Sequence, residues 1–264
     1  MEINKKNTSK ALFKNTGVIA IGQISTKIVN FFLLPLYTAL LTTEEYGLVD
    51  LLITYSGLIA VIVGLQVFQA VFRFLVTIRE NKKECATVIS SIVLFTLLIL
   101  GVYSAGFVPI SKFITIKYSW FLWAYVVSNI LLQTFSSIVR GLGDNIQYSF
   151  ANFFSSAIIV VLNVFFIAIL RLDIGWMLLA YCIGPVLGAV YLILKCKLWN
   201  YISFSLYDWK FVKKVLHYAI PLIPNELSWS VIHSSDRWVI SIFLSYSANG
   251  LIAVASKFST IYTT

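Results

Sequence analysis

Apolar runs of membrane-spanning length follow one another along this chain, and they decide its solvent before anything else. Charge-free segments cover Leu51–Phe72, Val88–Val108, Trp120–Val139, Ala151–Leu170 and Ile174–Leu194. Each is close to the ~20 residues that a helix needs to cross ~30 Å of hydrocarbon. Within lipid every backbone N–H and C=O must be paired inside its own segment, so the runs read as helices and not as strands. A buried soluble core explains one such run, not five in series. An apolar stretch from Leu12 to Leu41 precedes them. It is too long for the core of a cleavable signal and reads as a retained first helix. A short acidic loop, Thr42–Glu45, leads from it to a second helix starting near Tyr46. A seventh helix is expected over Val215–Leu244, and an eighth from Gly250.

Composition agrees: 59% of residues are hydrophobic and 12% charged, against about a quarter charged in soluble domains. The net charge of +9 belongs to topology, and nucleic acid is not an expected partner. With the N-terminus inside, thirteen Lys and Arg fall in inner segments, among them Lys5–Lys14, Arg79–Lys83, Arg140 and Lys195–Lys214. Only Lys112, Lys117 and Arg171 fall outside. That asymmetry orients the N-terminus to the cytoplasm. The three cysteines, Cys85, Cys182 and Cys196, have no metal-like spacing and read as free thiols.

The start of the seventh helix resembles that of the first. Gly47-Leu48 aligns with Gly250-Leu251, and Ser25, Leu41 and Ser56 with Ser228, Leu244 and Ser259, all offset by 203 residues (250 − 47). Copies that start six helices apart have the same orientation, so a parallel repeat of six-helix lobes is expected. The expected division is an N-lobe over 1–198, a cytoplasmic basic and aromatic linker over 199–214, and the beginning of a C-lobe over 215–264. Thr264 falls inside an apolar segment, so the native chain is expected to be longer.

Polar side chains line one face of several spans. Helix one carries Gln23, Thr26, Lys27 and Asn30 at spacings of three and four, a single helical face. Helix two carries Asp50 toward its outer end and Gln66, Gln69 and Arg73 toward its inner end. Helix four carries Asn129, Gln133, Ser136 and Arg140; helix five carries Asn152, Ser156 and Asn163. Helix seven has the densest stripe, with Glu226, Trp229, His233, Asp236 and Arg237. Helices three and six are blander and read as lipid-facing scaffold. A charge at the bilayer centre costs about 2.5–3.5 kcal/mol on insertion scales, so such groups face a bundle interior or a wet cavity. Lys27 is too deep to reach either surface and reads as cavity lining, or as one half of an interhelical pair with Asp50, Glu226 or Asp236. Arg73 and Arg140 read either as cavity cations or as headgroup anchors. Asp236 and Arg237 read either as a local charge pair or as cavity lining. His217 and His233 are read as neutral and hydrogen-bonded, with a proton relay at His233 the sharper alternative. Trp120, Trp123, Trp176, Trp199 and Trp209 sit near segment ends, as an interfacial belt does. Trp229 stands apart from the belt on a polar stripe. Pro35, Pro185, Pro221 and Pro224 mark bends.

The chain carries no phosphate-loop motif for an ATP motor, no His/Cys cluster for a metal and no large loop to house enzymatic chemistry. No cofactor is expected.

Two blocks carry a family resemblance. Pro221-Leu222-Ile223-Pro224-Asn225-Glu226-Leu227-Ser228-Trp229, then Ser235-Asp236-Arg237, Gly250 and Ala255-Ser256-Lys257-Phe258, resemble the seventh and eighth helices of Wzx-type polysaccharide flippases. Pro35-Leu36-Tyr37 and Glu44-Glu45-Tyr46-Gly47 resemble the N-terminal pattern of the same family. The resemblance implies an all-α polytopic membrane protein of MATE-like fold, with one complete six-helix N-lobe and the first two helices of the C-lobe. It implies translocation of an undecaprenyl-pyrophosphate-linked oligosaccharide across the bacterial plasma membrane, with polysaccharide polymerase and assembly proteins as candidate partners. An anionic head and many hydroxyls call for a hydrated cavity with cations and amides. Gln23, Lys27, Asn30, Arg73, Arg140, Trp229 and Arg237 are the candidate cavity residues, and Asp50, Glu226 and Asp236 the candidate coupling carboxylates. A gradient-driven exporter of drugs or small solutes is the alternative, and a membrane enzyme of glycan assembly a distant third.

Overall fold

The computed structural model describes residues 16, 17, 20, 24, 33–113 and 117–262, the last six by backbone only. The described part is helical, and no strand occurs within it. Helix α1 is described over 33–40. It is followed by α2 (Thr43–Gly64), α3 (Val67–Ile78), α4 (Lys82–Ser111), α5 (Trp120–Gly141), α6 (Asn145–Asn163), α7 (Ile174–Lys195), α8 (Trp209–Ala219), α9 (Leu222–Phe243) and α10 (Tyr246–Tyr262). Five of the described helices are long and apolar enough to cross a membrane: α2, α4, α5, α6 with its extension to Ile169, and α7.

The helix starts follow from local chemistry. Thr42 and Glu45 form a reciprocal capping box that opens α2, satisfying donors that a helix start leaves free. Asn81, Asp144 and Asp208 cap α4, α6 and α8 through their side chains. Two expected spans are interrupted. The second breaks at Leu65 and Gln66, both in the left-handed region at φ 48° and 53°. Non-glycine residues rarely hold that conformation, and it tends to persist where surrounding structure enforces it. The seventh is likewise not continuous over Val215–Leu244: α8 ends at Ala219 and α9 restarts after Pro221, which has no N–H to carry the ladder through. The fifth span finishes as a π-helical turn, Val164–Ile169.

The helices pack around two cores. One joins α3, α4, α5, α7 and α8 around Val71, Leu75, Ile89, Ile138 and Leu192. The other joins α1, α2, α5 and α7 around Leu33, Val49, Phe121 and Met177. The α6–α7 contact is close because Gly184 and Gly188 remove side chains from it. A Cβ on Gly184 would stand 2.7 Å from the Ser155 carbonyl oxygen, and one on Gly188 3.2 Å from that of Ala151. This is the small-xxx-small packing of membrane helices. The lipid-facing reading of helix three holds for half of α4 only. Its basic-end half, with Cys85, Val88, Ile89, Ile92 and Val93, is core, whereas Leu97, Leu98, Val102 and Val108 are exposed. Ser90 and Ser91 on the buried half fasten the segment before α8: Ser90 Oγ donates to the Tyr201 carbonyl at 2.7 Å and accepts from Ser203 N–H at 3.0 Å.

Candidate functional site

Two ends of the bundle differ in chemistry. The basic end carries the loops at Arg79–Lys83, Arg140–Asp144 and Lys195–Lys214. There α3, α5 and α6 enclose a cavity of about 740 Å³ lined by Gln69, Arg73, Gln133, Ser136, Arg140 and Asn152, with Tyr218 of α8 at its edge. The break at Leu65–Gln66 re-aims this part of the second span. Gln66 is fully buried, and its amide oxygen accepts from Gln69 Nε2 at 2.8 Å.

The two arginines of the cavity are seated on rings. Arg73 Cζ lies 4.4 Å from the centre of the Tyr218 ring, and Arg140 Cζ lies 4.5 Å from Phe72 and 5.3 Å from Tyr148. Such contacts are worth about 0.5–2 kcal/mol and leave the outward N–H donors of the guanidinium uncommitted. Among the described residues neither arginine has a carboxylate within salt-bridge distance. Ser136 Oγ is buried there without a partner among the described residues. The cavity therefore offers two cations, three side-chain amides and the hydroxyls of Thr77, Ser136, Ser137, Tyr148 and Tyr218, and no described carboxylate.

At the opposite end α2 and α10 are in backbone contact. A Cβ on Gly47 would lie 1.9 Å from the carbonyl oxygen of Tyr246, and one on Gly250 2.0 Å from that of Thr43. These contacts are reciprocal, since Thr43 and Tyr246, like Gly47 and Gly250, are 203 residues apart. Equivalent positions meet in this isologous manner only around a two-fold axis. The repeat aligned at Gly47 and Gly250 thus has its axis at the α2–α10 crossing. Asn249 Nδ2 donates to the Gly47 carbonyl at 2.9 Å, and the Thr43 and Ser247 hydroxyls lie 2.7 Å apart.

One turn further along α2, Asp50 accepts from Arg237 Nε of α9 at 2.5 Å. Arg237 also donates to the His233 carbonyl and to Ser256 Oγ, each at 3.1 Å. This corrects the reading of Asp236 and Arg237 as a local pair: Asp236 is exposed, and Arg237 crosses to the other lobe. In the loop beyond this end, Tyr118 donates to Asp173 Oδ2 at 2.9 Å. Desolvation, reinforced by that bond, raises its phenol above the ordinary range.

The candidate residues therefore separate. Arg73 and Arg140 share one cavity, while Asp50 and Arg237 share one ion pair. Glu226, Trp229 and His233 line a smaller space of about 270 Å³ between α2 and α9, with the Trp229 and His233 rings stacked at 5.7 Å. Gln23, Lys27 and Asn30 lie outside the described residues. Neither the glycine crossing nor the Gly184-Pro185-Val186-Leu187-Gly188 contact stood out from polarity. The signal for both was spacing, in the repeat and in the small-xxx-small pattern.

The geometry has a counterpart among solved structures. The chain shares its fold with the protein of "Crystal structure of MATE in complex with Br-NRF", at a TM-score of 0.68 and 17% identity over 96% of this chain. It spans 64% of that protein's length. No curated protein sequence matches. The family profile described as polysaccharide biosynthesis protein matches residues 12–263. A MATE-like helical fold with several membrane-length helices, joined to that match, makes this a multi-pass membrane protein. The chain belongs to the polysaccharide biosynthesis protein family.

Proposed function

We propose that the chain translocates an undecaprenyl-pyrophosphate-linked oligosaccharide across the bacterial plasma membrane, with its N-terminus and its basic end in the cytoplasm. One observation carries this reading. The cavity at the basic end holds Arg73 and Arg140 on aromatic seats, with amides around them and no described carboxylate to neutralise them. A pyrophosphate brings the complementary charge and acceptor oxygens, and charge-assisted hydrogen bonds to guanidinium are among the strongest available. Closure of the opposite end by the α2–α10 crossing fits a state that loads from the cytoplasmic side. Within it Asp50 and Arg237 serve as an interlobe contact, and Lys27, Gln23 and Asn30 as further substrate contacts. Polymerase and assembly proteins remain the candidate partners.

The test is translocation of a fluorescent lipid-linked oligosaccharide in proteoliposomes. Arg73→Gln with Arg140→Gln is expected to lower the rate at least tenfold while insertion and yield stay normal. An unchanged rate in the double variant would remove the basis of the assignment. The small-solute exporter keeps one observation in its favour, the space between Glu226, Trp229 and His233, whose carboxylate and rings suit a cationic solute. Glu226→Gln is expected to abolish cation efflux if that reading is correct, and to leave lipid-linked oligosaccharide translocation intact if it is not.

A further inference from the structure

Next to the arginine cavity lies a second, uncharged one. It has a volume of about 280 Å³, and its walls include Tyr37, Tyr46, Tyr125, Tyr181, Asn129 and Asn152, with no charged side chain among the described lining. Asn152 lines both cavities. We infer that this pocket is a sugar-ring subsite, and that it seats the sugar joined directly to the pyrophosphate. The inference rests on the lipid-linked oligosaccharide reading above and adds to it where the first sugar is held.

The chemistry of the walls selects the class of ligand. An acyl chain would bury phenol and amide groups without partners, at a cost for each. An anion finds no cation among the described lining, because the arginines line the neighbouring cavity. A metal cation calls for carboxylate ligands, and the carboxylate near these tyrosines, Asp50, is committed to Arg237. A sugar ring meets both halves of the lining. Its C–H faces pack on aromatic rings, and its hydroxyls donate to and accept from phenols and amides.

The polar atoms are also set out for a guest. Asn129 and Asn152 each donate from Nδ2 to a carbonyl of their own helix four residues back, at 3.0 and 2.8 Å. That fixes the side chains and leaves their amide oxygens as acceptors with no partner among the described residues. The Tyr37 and Tyr181 hydroxyls are 3.4 Å apart, a loose contact that a better acceptor would replace. Size limits the guest. The volume equals that of roughly nine waters at about 30 Å³ each, enough for one sugar ring and too little for an oligosaccharide. Adjacency through Asn152 then decides which ring: the one covalently attached to the group held by Arg73 and Arg140.

The experiment compares binding of undecaprenyl pyrophosphate and of undecaprenyl pyrophosphate carrying a single N-acetylhexosamine, to the full chain in nanodiscs. The unmodified protein is expected to bind the sugar-bearing lipid about tenfold more tightly, the scale of one or two well-made hydrogen bonds. Tyr181→Phe is expected to lose that difference while still binding undecaprenyl pyrophosphate. Should that variant fail to fold, Asn129→Leu carries the same test. Equal binding of both lipids by the unmodified protein would overturn the sugar subsite and leave the flippase reading standing. A preference that survives both substitutions would place sugar recognition elsewhere and overturn this pocket. Binding of neither lipid would overturn the flippase reading and the subsite with it.

Discussion

Arg237 and Arg73 are the same residue type in the same bundle, yet they are held in opposite ways. Arg237 reaches from α9 to Asp50 of α2 and donates two further bonds, to the His233 carbonyl and to Ser256. Arg73 rests on the Tyr218 ring and has no carboxylate partner among the described residues. Around Arg237 the helices are in backbone contact, with Gly47 and Gly250 facing each other. Around Arg73 and Arg140 there is a cavity of about 740 Å³. A cation with its counter-ion built in holds two parts of a protein together. A cation left over an aromatic face keeps its outward donors uncommitted, and in the function proposed above an anion from outside takes them. The bundle thus divides into a fastened end and an end with a cavity and unpaired cations, and each substitution below should affect one of them and spare the other.

The largest effect is expected from Gly47→Leu. Even a methyl group there would overlap the Tyr246 carbonyl, so α2 and α10 must separate and lose the Asn249 bond to the Gly47 carbonyl. Overpacking of this severity falls in the range above about 4 kcal/mol. Disulfide trapping provides the readout, because the Thr43 and Ser247 hydroxyls are 2.7 Å apart. The Thr43→Cys, Ser247→Cys pair should cross-link readily in the parent and hardly at all with Gly47→Leu present. Efficient cross-linking in both would mean that the crossing is looser than the backbone contacts require.

Asp50→Asn comes next. It keeps the shape of the side chain and removes the charge, leaving the Arg237 guanidinium, mostly buried, without its counter-ion. Breaking one side of such a pair costs about 3 kcal/mol or more, seen as a fall in the thermal unfolding midpoint in detergent. The swapped double variant, Asp50→Arg with Arg237→Asp, should recover part of the loss. A fall equivalent to less than about 1 kcal/mol would show the pair to be screened by water, as surface pairs are, and the fastened end would then rest on the glycines alone.

Much of this division could be read from the residues. Length and the absence of charge located the spans, because nothing but a helix satisfies the backbone in lipid. Spacing placed Arg73 with Gln69, and Arg140 with Gln133 and Ser136, on common faces, and those faces meet in one cavity. The repeat was visible in a handful of identities, and the one that mattered, Gly47 with Gly250, is the one at the axis, where a side chain would clash with its own symmetry mate. What spacing could not supply was distance between helices. Asp236 sits beside Arg237 in sequence, but successive residues on a helix point about 100° apart, so the true partner of Arg237 lay 187 residues away. The breaks at Leu65–Gln66 and at Ile220–Pro221 differ in the same sense. Proline announces the second, whereas nothing about a leucine and a glutamine announces a left-handed turn.

The smallest effect on stability is expected from Arg140→Gln, and its smallness is what separates the two ends. The side chain leaves no carboxylate behind among the described residues, and its ring contacts with Phe72 and Tyr148 are worth no more than about 1 kcal/mol where water reaches them. Glutamine still presents an amide to the cavity. The unfolding midpoint should therefore move by a degree or two at most, well short of the fall caused by Asp50→Asn. Inorganic pyrophosphate, added as a probe, should raise the midpoint of the parent and fail to raise that of the variant, because a ligand stabilises only the state that binds it. If Arg140→Gln lowered stability as far as Asp50→Asn does, Arg140 would be part of the fastening too. The contrast between a closed end built on paired charge and an open end built on unpaired charge would then collapse.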